Sequence, residues 1–173
     1  MKALSLPVKC CAEKRKNRTA MSWFRVDNRL VHGQIIEGWL PYLDAVKLVV
    51  INDKLALDEL QQQIMQLAIP ARIQTHFISV KNTKALYDAI ESRGDTTLYL
   101  LATFQDVSRL TREGVAVPIL NVGNMHYGHG KRHLCTHVAV SDNDLECLRA
   151  LQENGTQLDF RCVPTDMPIV EEW

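Results

Sequence analysis

No run of apolar residues in this 173-residue chain approaches the roughly 20 needed to cross a bilayer. The amino-terminal Ala3-Leu4-Ser5-Leu6-Pro7-Val8 is too short for a signal-peptide core and is followed by more positive charge. Neither sign of charge is in excess: Lys and Arg total 20, as do Asp and Glu, so no global field points to nucleic acid or an anionic membrane. There is no Gly-x-x-x-x-Gly-Lys-Ser/Thr loop and no Gly-x-Gly-x-x-Gly turn, which leaves nucleotide binding without a motif. There is no Gly-x-Ser-x-Gly elbow, which argues against a serine hydrolase. The five cysteines (Cys10, Cys11, Cys135, Cys147 and Cys162) are odd in number and lack metal-site spacing, so reduced thiols in a cytoplasmic protein are expected. Cys135 has no evident base partner, and Cys147 and Cys162 read as small core residues.

What is present is an ordinary globular composition, 46% hydrophobic and 23% charged, in a length that suits one domain. Charge is unevenly placed. Residues 1–20 carry Lys2, Lys9, Lys14, Arg15, Lys16 and Arg18 against Glu13, and show no helical or strand period. We therefore expect a basic, flexible tail over 1–20 and a single domain over 21–173.

From Met21 onward strand-like and helix-like segments alternate. Apolar, β-branched or alternating runs at Phe24–Val26, Val46–Ile51, Arg72–Val80, Thr96–Leu101, Pro118–Val122, Leu134–Val140 and Gln157–Val163 read as strands. Helices are expected near Ile35–Leu40, Leu55–Leu67, Thr83–Arg93, Phe104–Glu113 and Ser141–Asn154, the last opened by Ser141 with Asp144 three residues on. This alternation predicts an α/β fold: one three-layer domain, with a mostly parallel central sheet of about seven strands and helices on both faces.

The most chemically loaded stretch is Phe24-Arg25-Val26-Asp27-Asn28-Arg29-Leu30-Val31-His32-Gly33-Gln34, a strand running through a loop into a helix. Ligands of open α/β sheets sit beyond the carboxyl ends of strands, where a helix amino terminus favours anions. The loop offers an imidazole nucleophile in His32, a guanidinium for phosphate oxygens in Arg29 and free backbone donors near Gly33. The same residues also fit a plain surface loop, with Asp27 a turn residue and Arg29 its ion-pair partner. A second cluster, His126, His129, His133 and His137, invites a zinc reading. Gly128, Gly130 and the strand beyond them should instead point the four imidazoles in different directions.

Asp27-Asn28-Arg29-Leu30-Val31-His32-Gly33-Gln34 is similar to the Asp-Asp-Arg-Leu-Ile-His-Gly-Gln signature of the IIB component of the mannose/fructose/sorbose class of the bacterial sugar phosphotransferase system. Further matches occur in order along the chain: Val49-Val50-Ile51-Asn52-Asp53, Asn121-Val122-Gly123-Asn124-Met125, Gly130-Lys131 and Val163-Pro164-Thr165-Asp166. The resemblance implies a relay in which a separate phosphorylated IIA protein donates its phosphoryl group to His32. His32 then passes it to a sugar held by membrane IIC and IID subunits. It implies Arg29 as stabiliser of the transferring group, Asp27 and Gln34 as supports of the loop, backbone donors around Gly33, and no metal or organic cofactor. Lys131 matches a family lysine that could help neutralise the incoming phosphoryl group.

Asn28 stands where an acidic residue is common, and Asn124 where a glycine is common. The expected partners are thus a IIA donor and a permease that holds the protein peripherally at a membrane, with no nucleic acid and with homo-oligomerisation left open. Two other readings keep the same fold: a phosphorylatable regulatory module that moves no sugar, and a non-catalytic adaptor.

Overall fold

Residues along Ser22–Val26 alternate in direction, so Phe24 and Val26 enter one apolar layer while Trp23 enters the other and Arg25 turns the same way. In the computed structural model, which describes residues 21–167, this segment is β1, and the rest of the domain is arranged about it. The sheet order is β3-β2-β4-β1-β5-β8, with every pairing parallel. Its other strands are β2 (Lys47–Ile51), β3 (Gln74–Ile78), β4 (Thr97–Leu101), β5 (Ile119–Val122) and β8 (Gln157–Asp159). Both β2 and β4 are buried at every position, as central strands covered on both faces must be, and apart from Lys47 and Thr97 at their starts they are built of Leu, Val, Ile and Tyr.

Among the described residues five helices cover the sheet. The first, α1, is π-helical over Gln34–Trp39 and α-helical over Leu40–Leu43; α2 is Glu59–Ala68, α3 Thr83–Glu91, α4 Phe104–Arg112 and α5 Asp142–Glu153. Ile35, Trp39, Leu40 and Leu43 of α1 pack with Leu48, Val50, Leu98 and Leu100 on one face, where Met65 of α2 also sits. Ile90, Phe104, Val107, Leu110, Leu145, Leu148 and Leu151 of α3, α4 and α5 pack with Phe24, Val26, Tyr99 and Leu120 on the other. The three-layer architecture expected from the alternation is therefore present.

Local signals fall where side-chain chemistry puts them. Ser141 and Asp144 form a full capping box at α5. Asn52 accepts the Leu55 N–H to open a 3-10 turn at Leu55–Leu57, but α2 proper is capped by Asp58, one turn later than expected. The stretch Leu134–Val140 is not a single strand. It belongs to a separate antiparallel hairpin, β6 (Arg132–Cys135) with β7 (Val138–Val140), so the main sheet has six strands. Val138 pairs with Met125 outside the main sheet, which holds the hairpin at the carboxyl end of β5. The expected tail over residues 1–20 lies outside the described residues.

Candidate active site

The connection leaving β1 runs toward β2, whereas those leaving its neighbours β4 and β5 run the opposite way. A crevice therefore opens at the carboxyl end of β1, the place where open α/β sheets hold ligands. Asp27, the first residue past the strand, lies in that crevice with a fully buried side chain.

A turn closes immediately: Leu30 N–H donates to the Asp27 carbonyl at 3.0 Å. Leu30 has φ +54, a left-handed conformation that a residue with a Cβ adopts only under constraint. Its burial in the layer beneath α1 supplies that constraint. The turn returns the chain over Asp27, and His32 becomes the residue just before the helix, its carbonyl accepting from the N–H groups of Ile35 and Ile36 at 2.9 and 3.1 Å.

Asp27 gathers the loop. One oxygen, Oδ2, accepts from Arg25 Nη2 at 2.8 Å and from the Asn124 N–H at 3.2 Å, and lies 3.1 Å from His32 Nε2. The other, Oδ1, accepts from the Arg29 N–H at 3.1 Å and from Arg29 Nε at 3.3 Å. Burial by itself would raise the Asp27 pKa. The His32 hydrogen bond, the Arg25 charge and the Arg29 N–H outweigh burial and hold the carboxyl well below the usual carboxylate range.

Arg29 remains partly exposed, and its Nη2 donates to Gln34 Oε1 at 2.7 Å. The sequence therefore named four side chains that do converge: Asp27, Arg29, His32 and Gln34. Gly33 sits at the helix start with φ −52, and a Cβ added there would meet nothing within 4 Å. What Gly33 offers there is an N–H at a helix amino terminus, and its conformation does not require the absence of a side chain.

Arg25 escaped sequence reasoning. It is fully buried below the loop, donating to Asp27 and to Asn121 Oδ1, with its guanidinium 5.1 Å from the centre of the Trp39 ring. Burial lowers its pKa against the opposing pull of Asp27. The signal that would have found it is a lone charge at an alternating position inside an otherwise apolar strand. Trp39 is covered from a second direction by Arg161, 5.6 Å from its ring centre, and donates from Nε1 to the Cys162 carbonyl at 3.2 Å. Cys147 and Cys162, both read as core residues, are half-buried: Cys147 packs against the edge of the core, and Cys162 has its Sγ 3.7 Å from Gln34 Nε2.

The second matched motif now has a physical content. Asn121 pins Arg25; at Gly123 any Cβ would overlap the Arg25 guanidinium; Asn124 donates its N–H to Asp27 and accepts the Asn28 N–H at 3.0 Å. Toward Asp27 and Asn28, Asn124 acts through its backbone, so these contacts do not depend on its side chain. Asn28 donates from Nδ2 to the Ala102 carbonyl at 2.8 Å and accepts the His126 N–H at 2.7 Å. A carboxylate there could do only the second.

The histidine-rich segment disperses. His126 Nδ1 lies 2.9 Å from Asn124 Nδ2, His133 stacks on Tyr127 with centroids 5.0 Å apart, and His137 Nδ1 lies 3.8 Å from Cys135 Sγ. Among the described residues no three His, Cys, Asp or Glu side chains are grouped to hold a metal ion. Lys131 is paired with Asp144 at 3.4 Å, so it is tied to α5. No helix among the described residues is long and apolar enough to cross a membrane.

The chain is similar to known proteins in sequence and in fold. The sorbose-specific EIIB component of Klebsiella pneumoniae is 30% identical over 142 residues, covering 82% of this chain and 87% of that protein. The mannose-specific EIIAB component of Escherichia coli (strain K12) is 29% identical over 142 residues, 82% of this chain but 44% of that longer protein. The crystal structure of the IIBSor domain of the sorbose permease from Klebsiella pneumoniae superposes with a TM-score of 0.78 at 29% identity, covering 85% of this chain and 90% of that one. Residues 21–170 match the family model of the sorbose-subfamily IIB component of the PTS, the sugar phosphotransferase system, and the chain belongs to that family.

Proposed function

We propose that His32 is the phosphoryl acceptor and donor of this IIB component, with Nδ1 as the nucleophilic atom. The observation that carries the reading is the contact of 3.1 Å between His32 Nε2 and Asp27 Oδ2. A carboxylate accepts only, so in the neutral imidazole Nε2 carries the proton and Nδ1 holds the lone pair.

In the first step a phosphohistidine of a separate IIA protein meets Nδ1 in line. The donor P–N bond breaks as the new N–P bond forms, and the donor imidazole keeps the electron pair. Charge on the three equatorial oxygens is met by Arg29 and by N–H groups at the start of α1. Asp27 and Gln34 hold Arg29 from two sides, so the guanidinium is oriented before the phosphoryl group arrives. In the second step a sugar hydroxyl, presented by membrane IIC and IID subunits, attacks phosphorus. The P–N bond breaks, and the hydroxyl proton leaves to solvent or a base. Relatives named as EIIAB carry IIA and IIB in one protein, which supports a IIA donor for this chain.

The test uses the purified chain with a phosphorylated IIA donor. His32 should take up one equivalent of label, acid-labile and base-stable, with the nitrogen NMR signature of Nδ1 substitution. His32→Ala should take up none while keeping its fold. Undiminished label in that variant, on any of the other five histidines, would overturn the reading. Formation of sugar phosphate in membranes carrying the permease separates a transporter component from a regulatory module.

A further inference from the structure

Helix α2 is turned inside out. At 100° per residue, Leu60, Ile64 and Leu67 share one face and Gln62 and Met65 the opposite one. The polar-to-apolar order expected of a surface helix would bury the first set. Here Gln62 and Met65 are the half-buried residues, while Leu60, Ile64 and Leu67 are 66%, 51% and 89% exposed. Leu57, one turn earlier, is 88% exposed and extends the stripe. Nothing in α2 is fully buried. Other large side chains such as Tyr42 and Tyr127 are exposed too, but Leu57, Leu60, Ile64 and Leu67 form one contiguous outward apolar stripe, and such a stripe marks a contact surface.

We propose that this stripe joins two copies of the chain, with their α2 helices antiparallel about a two-fold axis. Charge is what selects this occupant. Between Glu59 and Arg72 no residue is charged, in a chain of which 23% is. A two-fold contact sets the centre of a patch against its own copy, so any charge there would face itself; this patch has none. The charges stand at the two ends instead: exposed Asp58 and Glu59 at the start, exposed Arg72 just past the end. Antiparallel packing lays the acidic end of one copy beside the basic end of the other and also opposes the two helix dipoles. A parallel pairing would stack acid on acid and base on base.

The contact leaves the phosphoryl-transfer crevice open. Helix α2 leads from β2 to the edge strand β3, and β1 lies on the far side of β2 and β4. A dimer built here carries two independent His32 sites. A single stripe on a 10-residue helix is smaller than the ~800 Å² per partner of a standard interface, so the association is reversible.

Sedimentation of the whole chain from about 1 µM to about 1 mM tests this. The mass should climb from 19.7 kDa toward twice that value. Ile64→Glu and Leu67→Lys, both at exposed positions, should stay monomeric throughout with unchanged melting. Glu59→Arg and Arg72→Glu should each weaken association at least tenfold, and the double exchange should restore it. A monomeric parent across the range, a dimer that survives both stripe substitutions, or a failed charge rescue would each overturn the proposal. So would association that appears only after residues 1–20 are deleted, since the tail would then be the occupant.

Discussion

Arg25 Nη2 donates to Asp27 Oδ2 across 2.8 Å, and neither side chain is exposed to solvent. This pair stands beneath the histidine loop and positions it without lying on its surface. A buried ion pair of this kind does little for net stability, but removing one partner leaves an uncompensated charge. The geometry of His32 therefore depends on a buried arginine that acts through the Asp27 Oδ2 both side chains contact.

Gly123→Ala tests that dependence from the far side. A methyl group there would overlap the Arg25 guanidinium, which Asn121 and Asp27 prevent from retreating. Unfolding measurements should show a loss of ~1–3 kcal/mol, and phosphorylation of His32 should slow as Asp27 shifts. Gly33→Ala, whose Cβ meets nothing, should melt with the parent. Equal melting of all three proteins would remove the steric argument.

Asp27→Asn should cost ~3–5 kcal/mol near neutral pH by leaving Arg25 buried and unpaired. The Asp27 pKa is depressed in the fold, so its contribution is complete above the unfolded value of ~3.9 and is lost as pH falls toward the folded one. The stability gap between parent and variant should thus be widest near pH 7 and shrink on acidification below about pH 4. Urea unfolding across that range measures it, and a gap that widens in acid would contradict the assignment.

Arg29 is partly exposed and should act on rate more than on stability. Arg29→Ala should lower transfer to His32 by about 10²–10³ with little change in melting. Arg29→Lys keeps the charge but loses the planar fork that spans Asp27 and Gln34, so its rate should fall between the two. A lysine variant as fast as the parent would reduce the role of Arg29 to simple charge.

The histidine-rich segment should bind no structural zinc. Purified protein should hold far less than one equivalent, and a chelator should leave the thermal transition in place. A chelator-sensitive transition lost on His133→Ala would place zinc among these residues after all.

Much of this was legible in the order of residues. Apolar, β-branched runs such as Leu48–Ile51 can satisfy their burial only inside a covered parallel sheet, and Ser141 with Asp144 can cap only a helix that starts at Asp142. The Asp27–Gln34 signature placed an acid, a guanidinium and an imidazole in one short loop, and such nearness in sequence survives folding. What the sequence could not decide is which groups meet across long separations. Arg25 to Asn121, Asn124 to Asp27 and Asn28 to His126 join residues 96 to 98 positions apart. The hairpin at Arg132–Val140 left the main sheet for the same kind of reason: alternation specifies an extended chain but not which edge it pairs with. Nor could periodicity show that α2 faces outward, because the pattern of Leu60, Ile64 and Leu67 defines a face but not its direction. Local chemistry is written in neighbouring residues, whereas the partner of a buried charge is chosen by the packing of layers that only the folded chain brings together.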